Sequence, residues 1–451
     1  MFDLELQINS WSDHLRARGH VTESDIRELE NHLRDEIQDL TSAGLSADES
    51  FLISVKRLGN VDAISQEYSK VNTENLWKQL MLEPVDPGSY AENRRNIALV
   101  IIFSLLAGTL FKIPELFGYR LYDEATQLFY LKNLGYFILP FIAAFFLIKR
   151  KSDGKTAVVI LEIFGLTAIL VNIYPSYAPQ HTELLTGLHL PLFLWLLVGV
   201  TYIGKAWRTS RERMNFIRFT GESFIYGVLI FCGVIVLGLF IQVIFAAIGI
   251  EADSFVGEYV AVYGACAAAL IAVYLVEAKK SIVENFAPIL AKIFSPLFLL
   301  TMCAFLAVMI ITGQSPFMER NFLIAFDFML AMVLGLVLYV ISARNNQAPA
   351  NLFDYLNQAL IVVALIIDAV ALAAIIFRLS AYGITPNKLA ALGENLILLG
   401  NLGGLAWLYI GYFRKKYDFV RLEIWQTAYL YVYFIWMAIV AFLFPIFFGF
   451  Y

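Results

Sequence analysis

Stretches of about 20 predominantly apolar residues, the length an α-helix needs to cross the hydrocarbon layer of a bilayer, recur from Asn96 to Tyr451 with short polar breaks between them. Inside that layer the backbone finds no water, so each stretch must satisfy its own hydrogen bonds as a helix. Composition excludes the soluble alternative: 59% of the residues are hydrophobic and 16% charged, against roughly 25% charged in an ordinary soluble domain. The expected fold is all-α, a polytopic membrane bundle of about eleven spans behind a small N-terminal helical domain. The spans are expected at about 96-116, 134-149, 157-174, 187-205, 222-249, 256-277, 288-312, 322-343, 359-378, 389-412 and 425-449, with boundaries good to a few residues.

Basic residues alternate between the two sides of this arrangement. Arg94 and Arg95 precede the first span, Lys149, Arg150, Lys151 and Lys155 occupy the second connection, and Lys205, Arg208, Arg211, Arg213 and Arg218 fill the fourth. Lys279 and Lys280, Arg344, and the group Arg414, Lys415, Lys416 and Arg421 fall on the same side. By the positive-inside rule that side is cytoplasmic, which puts the N-terminal domain inside and Tyr451 outside. Tyr174, Tyr177, Trp207, Tyr412 and Trp425 stand near span ends, where aromatic rings suit the headgroup region. Small residues of the sixth span, Gly257, Gly264 and Ala265 among them, allow close helix packing.

Residues 1-71 differ from the rest. They hold 14 acidic against 7 basic side chains, a net of −7, which leaves +2 for the remainder of a chain whose total is −5. An acidic head does not neutralise phosphates, so no direct nucleic-acid binding is expected and a protein partner fits better. Thr22 and Asp25 open a helix running to Ala43. Its residues Ile26, Leu29, Leu33, Ile37 and Leu40 line one face and leave Arg27, Glu30, Asn31, Arg34, Asp35 and Asp39 for solvent or a partner. Ser46 and Glu49 form a capping box for a third helix ended by Gly59, and Val61 to Val71 make a short fourth element. Residues 72-95, with Pro84, Pro87 and Gly88, read as a linker with a possible interfacial helix over 74–82, and 96-451 as the transmembrane domain. Cys232, Cys266 and Cys303 all lie in apolar spans and act as small hydrophobes, and His14, His20 and His32 lack the facing pairs of a zinc site. No cofactor or metal is expected, and no cleavable leader is apparent.

The head motif Glu28-Leu29-Glu30-Asn31-His32-Leu33-Arg34-Asp35, with Gly44-Leu45, Asp48-Glu49, Arg57-Leu58-Gly59 and Glu67-Tyr68, resembles the permease prefix or helix-turn-helix-associated alpha-helical signalling domain. That resemblance implies a bacterial membrane setting and association with a cytoplasmic regulator. In the membrane part, Gly187-Leu188-His189-Leu190-Pro191 through Trp195, Thr220-Gly221-Glu222, Phe294-Ser295-Pro296-Leu297, and Arg378 followed by Tyr382-Gly383-Ile384-Thr385-Pro386-Asn387-Lys388 occur in this order. Together they resemble the bacterial membrane family called domain of unknown function four-one-five-three, over most of residues 95-450. It implies a bacterial inner (plasma) membrane location but carries no activity, substrate or catalytic residue.

Gly383 and Pro386 force a turn between the ninth and tenth spans. Arg378, Tyr382, Thr385 and Lys388 gather donors there, either for an anionic headgroup or solute, or as a structural turn with snorkelling cations. Deeper residues carry more weight, because an ionisable group near mid-bilayer costs at least about 2.5–3.5 kcal/mol and demands a partner, a cavity or neutralisation. Asp368 lies about ten residues from either end of its span, roughly 15 Å deep. Asn401 reaches a similar depth on the next span, and the two are expected to form a buried pair. Glu394 and Asn395 sit nearer the outside, and Glu162, Glu222, Glu258 and Asp327 lie within a few turns of their span ends. Such carboxylates either carry protons or a cation, or tie helices together by hydrogen bonds, and His189 poses the same choice. No paired-His helix motif, phosphate loop or elbow serine is present, so an enzyme is not expected. The expected function is permease-like movement of a small solute or ion past Asp368, Glu394 and Asn401; the alternative is a membrane sensor or scaffold whose head contacts a regulator.

Overall fold

The computed structural model describes residues 4–17, 23–42, 45–58, 87–247, 249–278, 286–313, 317, 320–346 and 348–451. The expected N-cap Thr22, the fourth head element and the interfacial helix over 74–82 lie outside these residues. The chain divides into two units, Met1–Asn93 and Arg94–Tyr451.

In the first unit, α1 (Leu4–Ala17), α2 (Glu23–Ser42) and α3 (Ala47–Leu58) pack on one another. Ile8, Trp11, Leu33, Ile37 and Phe51 are buried between them, as the 3.6-residue period requires. Ser46 makes one half of the expected capping box, its amide donating to Glu49 at 3.2 Å, while its hydroxyl donates to the same carboxylate at 2.7 Å. Arg34 is not left for a partner: it donates to both oxygens of Glu5, at 2.5 and 2.8 Å, and to Glu30. Periodicity shows that Arg34 lies off the apolar stripe, but not that α1 brings a carboxylate to it. Asn31, Asp35, Gln38 and Asp39 remain exposed.

The second unit is all helical among its described residues. Its helices are α4 (Pro87–Lys112), α5 (Gln127–Lys149), α6 (Gly154–Ile173), α7 (His181–Ile203), α8 (Ser210–Ala247), α9 (Ala261–Glu277), α10 (Phe286–Thr312), α11 (Arg320–Ala343), α12 (Leu352–Tyr382), α13 (Pro386–Phe413) and α14 (Val420–Ala438). A π turn, Ile439–Leu443, joins α14 to a last turn at Phe444–Phe447. Among the described residues, eleven helical segments are long and apolar enough to cross a membrane, matching the expected number.

Several helices extend past the expected ends because polar residues continue them outside the apolar stretch. Arg211, Arg213 and Arg218, expected in a connection, belong to the first turns of α8, and Arg218 donates to the Ser342 carbonyl at the end of α11. α12 begins at Leu352 because Asn351 accepts from the amides of Phe353 and Asp354 while Asp354 accepts from the Asn351 amide, a closed capping box. At its other end Gly383 takes φ +74°, a value a side chain would resist. Pro386 then starts α13, where its missing N–H costs nothing.

Two apolar cores organise the helices. One joins Val100 and Ala107 of α4 to Phe145 and Phe146 of α5, Phe164 of α6, Leu190 and Leu194 of α7 and Leu270 of α9. The other joins Phe326 and Leu330 of α11, Leu360 and Ala364 of α12, and Leu402 and Leu405 of α13. α8 serves both, with Phe216 in the first and Met214 in the second. Between them lies a small cluster of Leu185 on α7, Ala390 on α13, and Val440 and Phe444 of the last segment. Since lipid tails are as apolar as leucine, these contacts hold through close packing. Gly264 illustrates it: a methyl group there would overlap Val234, so the small residue sets the α8–α9 approach.

Candidate functional site

One turn beyond the Leu185–Ala390 contact, the polar residues of four helices converge. His189 on α7 meets Glu394 on α13, with Nε2 2.6 Å from Oε1. The other ring nitrogen, Nδ1, lies 2.8 Å from the Leu185 carbonyl one turn back. Beside Glu394, Asn395 donates from Nδ2 to Asp327 Oδ1 on α11 at 3.0 Å and to the Ala391 carbonyl at 2.8 Å. Asp327 is in electrostatic range of both Glu394 and Asp368 on α12. The line therefore runs His189, Glu394, Asn395 with Asp327, then Asp368.

Its inner member is the unusual one. Asp368 is 0% exposed, and among the described residues both of its carboxylate oxygens lack a hydrogen-bond partner, as does the buried carbonyl oxygen of Asn395. Asp368 is 16 residues from Leu352 and 14 from Tyr382, about 24 and 21 Å at 1.5 Å per residue. A buried acceptor without a donor is costly, so this end of the line favours a proton or a cation.

The expected Asp368–Asn401 pair does not form. Asn401 is buried, but its Nδ2 donates to Tyr433 Oη at 2.6 Å and Gln426 Oε1 at 3.3 Å, while its side-chain oxygen accepts from Trp425 Nε1 at 3.0 Å. All of these partners are on α14. Equal depth on neighbouring helices does not fix which way a side chain points: six residues on from Asn395 is roughly a 120° turn the short way around the helix. Trp425 is corrected with it, since its ring nitrogen serves Asn401 inside the bundle rather than a headgroup.

The other expected positions stay apart from the line. Lys388 donates to the carbonyls of Tyr382 and Gly383 at 3.2 and 2.7 Å, and Thr385 accepts from the Lys388 amide at 3.4 Å. The donors offered to an anion thus cap their own turn, with Arg378 over the Tyr382 ring at 5.8 Å. Glu162 is exposed on α6. Glu222 is buried on α8, in electrostatic range of Tyr226 and Tyr339.

Sequence reasoning missed a clamp at the opposite end of α12. Arg344 donates to both oxygens of Asp354, at 2.7 and 2.9 Å, and to Tyr412 Oη at 2.6 Å, with its guanidinium 4.2 Å from the centre of the Phe419 ring. The Asn351–Asp354 spacing was a visible signal for the capping box, but nothing in it identified the arginine. Lys132 of α5 pairs with Glu183 of α7 at 2.9 Å, likewise unforeseen.

Fold and site together define a multi-pass, all-α membrane protein with a connected set of buried and half-buried carboxylate, imidazole and amide groups among its described residues. No family model matches the chain, and neither a curated protein nor a solved structure is similar to it. The resemblances drawn from motifs gain no support there, and function rests on the site.

Proposed function

We propose that the membrane unit is a permease-like carrier that moves a small cation, a proton included, along the line from His189 and Glu394 to Asp368. The observation behind this reading is the Asp368 carboxylate, fully buried with neither oxygen hydrogen-bonded among the described residues. Acceptors without donors attract positive species, and their cost inside a membrane is accepted where a path needs them. The alternation of basic residues supports a bacterial inner-membrane setting with the head in the cytoplasm and Tyr451 outside. The test is flux in proteoliposomes, with a pH-sensitive dye for protons and a sodium or potassium indicator for the alkali cations. Asp368→Asn should abolish the cation-dependent signal in folded protein; equal flux in the variant would end the proposal.

The head supports a second reading. The exposed residues Asn31, Asp35, Gln38 and Asp39 of α2 offer a polar, acidic face to a basic partner. If the protein senses rather than transports, crosslinking from this face in cells should trap a cytoplasmic regulator, and a chain lacking residues 1-71 should insert but lose the response.

A further inference from the structure

The pair His189–Glu394 joins the two cores: α7 belongs to the first and α13 to the second. Its hydrogen bonding fixes a proton count. The Leu185 carbonyl can only accept, so the Nδ1 that lies 2.8 Å from it carries a hydrogen. Nε2 lies 2.6 Å from a carboxylate oxygen. A neutral imidazole protonated at Nδ1 presents a lone pair at Nε2, and an ionised carboxylate presents another, so the two repel. The contact therefore holds one further proton, on Nε2 as imidazolium with carboxylate, or on Glu394 as carboxylic acid donating to imidazole. In both arrangements the pair is neutral overall.

We propose that His189 and Glu394 form a one-proton binding site whose occupancy latches α7 to α13. With the Leu185 carbonyl keeping the remaining hydrogen on Nδ1, loss of that proton leaves a neutral imidazole facing a carboxylate with no hydrogen between them, net charge −1, and the contact opens. Glu394 is the more open member of the pair, its side chain 29% exposed against 8% for His189. Opening the seam uncovers Asn395 and Asp327, the next members of the line. The latch is independent of what the carrier moves.

The charged surroundings are few. From α11, Asp327 adds negative charge near Glu394, and from α12, Asp368 stands behind Asp327. From α5, Lys132 is taken by Glu183 at 2.9 Å. α8 packs at the far end of α7, where Glu222 is in range of Tyr202, and α6 turns Glu162 outward. From α14, Trp436 covers Gly393, where a methyl group would overlap its ring, and Tyr433 is held by Asn401. The last segment contributes the uncharged Val440 and Phe444.

The test uses the full chain in proteoliposomes, with the exposed thiols Cys232 and Cys303 replaced by serine and spin labels placed at Leu188→Cys and Leu396→Cys, both exposed positions beside the pair. Nitrogen-15 shifts of His189, assigned by their loss in His189→Ala, report the proton. Across a pH series run from acid to alkali, the shifts should show one proton leaving and the label distance should lengthen with the same midpoint. Glu394→Gln should keep the short distance throughout, because its amide donates to neutral Nε2 without a titrating proton. His189→Ala should show the long distance throughout. A distance that stays constant while the proton leaves, a pair that holds its proton over the whole range, or a Glu394→Gln chain that opens like the parent would each overturn the proposal.

Discussion

Asn395 donates its amide to Asp327 Oδ1 at 3.0 Å while its own carbonyl oxygen is buried without a partner. The residue thus supplies a carboxylate with the hydrogen bond it needs and leaves a second acceptor facing the interior. Asn395→Ala removes the donor and should destabilise the protein by about 1–3 kcal/mol, the cost of leaving a buried acceptor unmade. Asn395→Ala combined with Asp327→Leu should recover part of that loss. Thermal unfolding in detergent across the four chains of this cycle measures the coupling.

Asp368 should behave in the opposite sense. With no hydrogen bond to lose, Asp368→Leu is expected to leave stability unchanged or raise it by about 1–3 kcal/mol while transport disappears. A rise in melting temperature together with lost flux is the signature of a functional buried carboxylate; a large fall in stability would mean that the group has a structural partner.

The Arg344–Asp354 clamp should be the costliest polar contact to break. Their side chains are 7% and 3% exposed, and removing one partner of a buried pair typically costs about 3–5 kcal/mol because the other is left charged and dry. Asp354→Asn also weakens the capping box at the start of α12. Both Arg344→Gln and Asp354→Asn should lower the melting temperature more than Asn395→Ala does.

In the head, the hydrogen bond from Arg34, helped by its charge and opposed by slight desolvation, holds the Glu5 carboxyl below the usual carboxylate range. The folded head therefore binds this proton less readily than the unfolded chain. Its stabilising effect is complete above the unfolded value, about 4.3, and fades as pH falls through the lower folded value. Glu5→Gln should make α2 less protected above that range and narrow its difference from the parent in stronger acid. Amide exchange of residues 30–42, pulse-labelled after incubation at each pH, measures it.

Much of this molecule is legible in its sequence. Apolar runs of bilayer length give the eleven spans, and the punctuation Gly383, Thr385 and Pro386 gives the α12–α13 turn where it occurs. Every member of the polar line, His189, Asp327, Asp368, Glu394 and Asn395, stands out in the sequence as a polar residue within an apolar run. Their grouping did not. Depth along a helix can be counted, but azimuth between helices cannot, so counting pairs Asn401 with Asp368 although it faces Tyr433, Gln426 and Trp425.

Bilayer solvation acts on each segment separately: twenty apolar residues must become a helix wherever the neighbours lie, and local order is therefore written into the linear chain. Contacts between segments obey a different rule. His189 and Glu394 are 205 positions apart, and nothing along the chain relates them until two cores pack and leave their edges facing. Membrane class and helix positions follow from composition and spacing, whereas the proton-holding contact and the unpartnered Asp368 exist because rotation and packing of whole helices chose their neighbours.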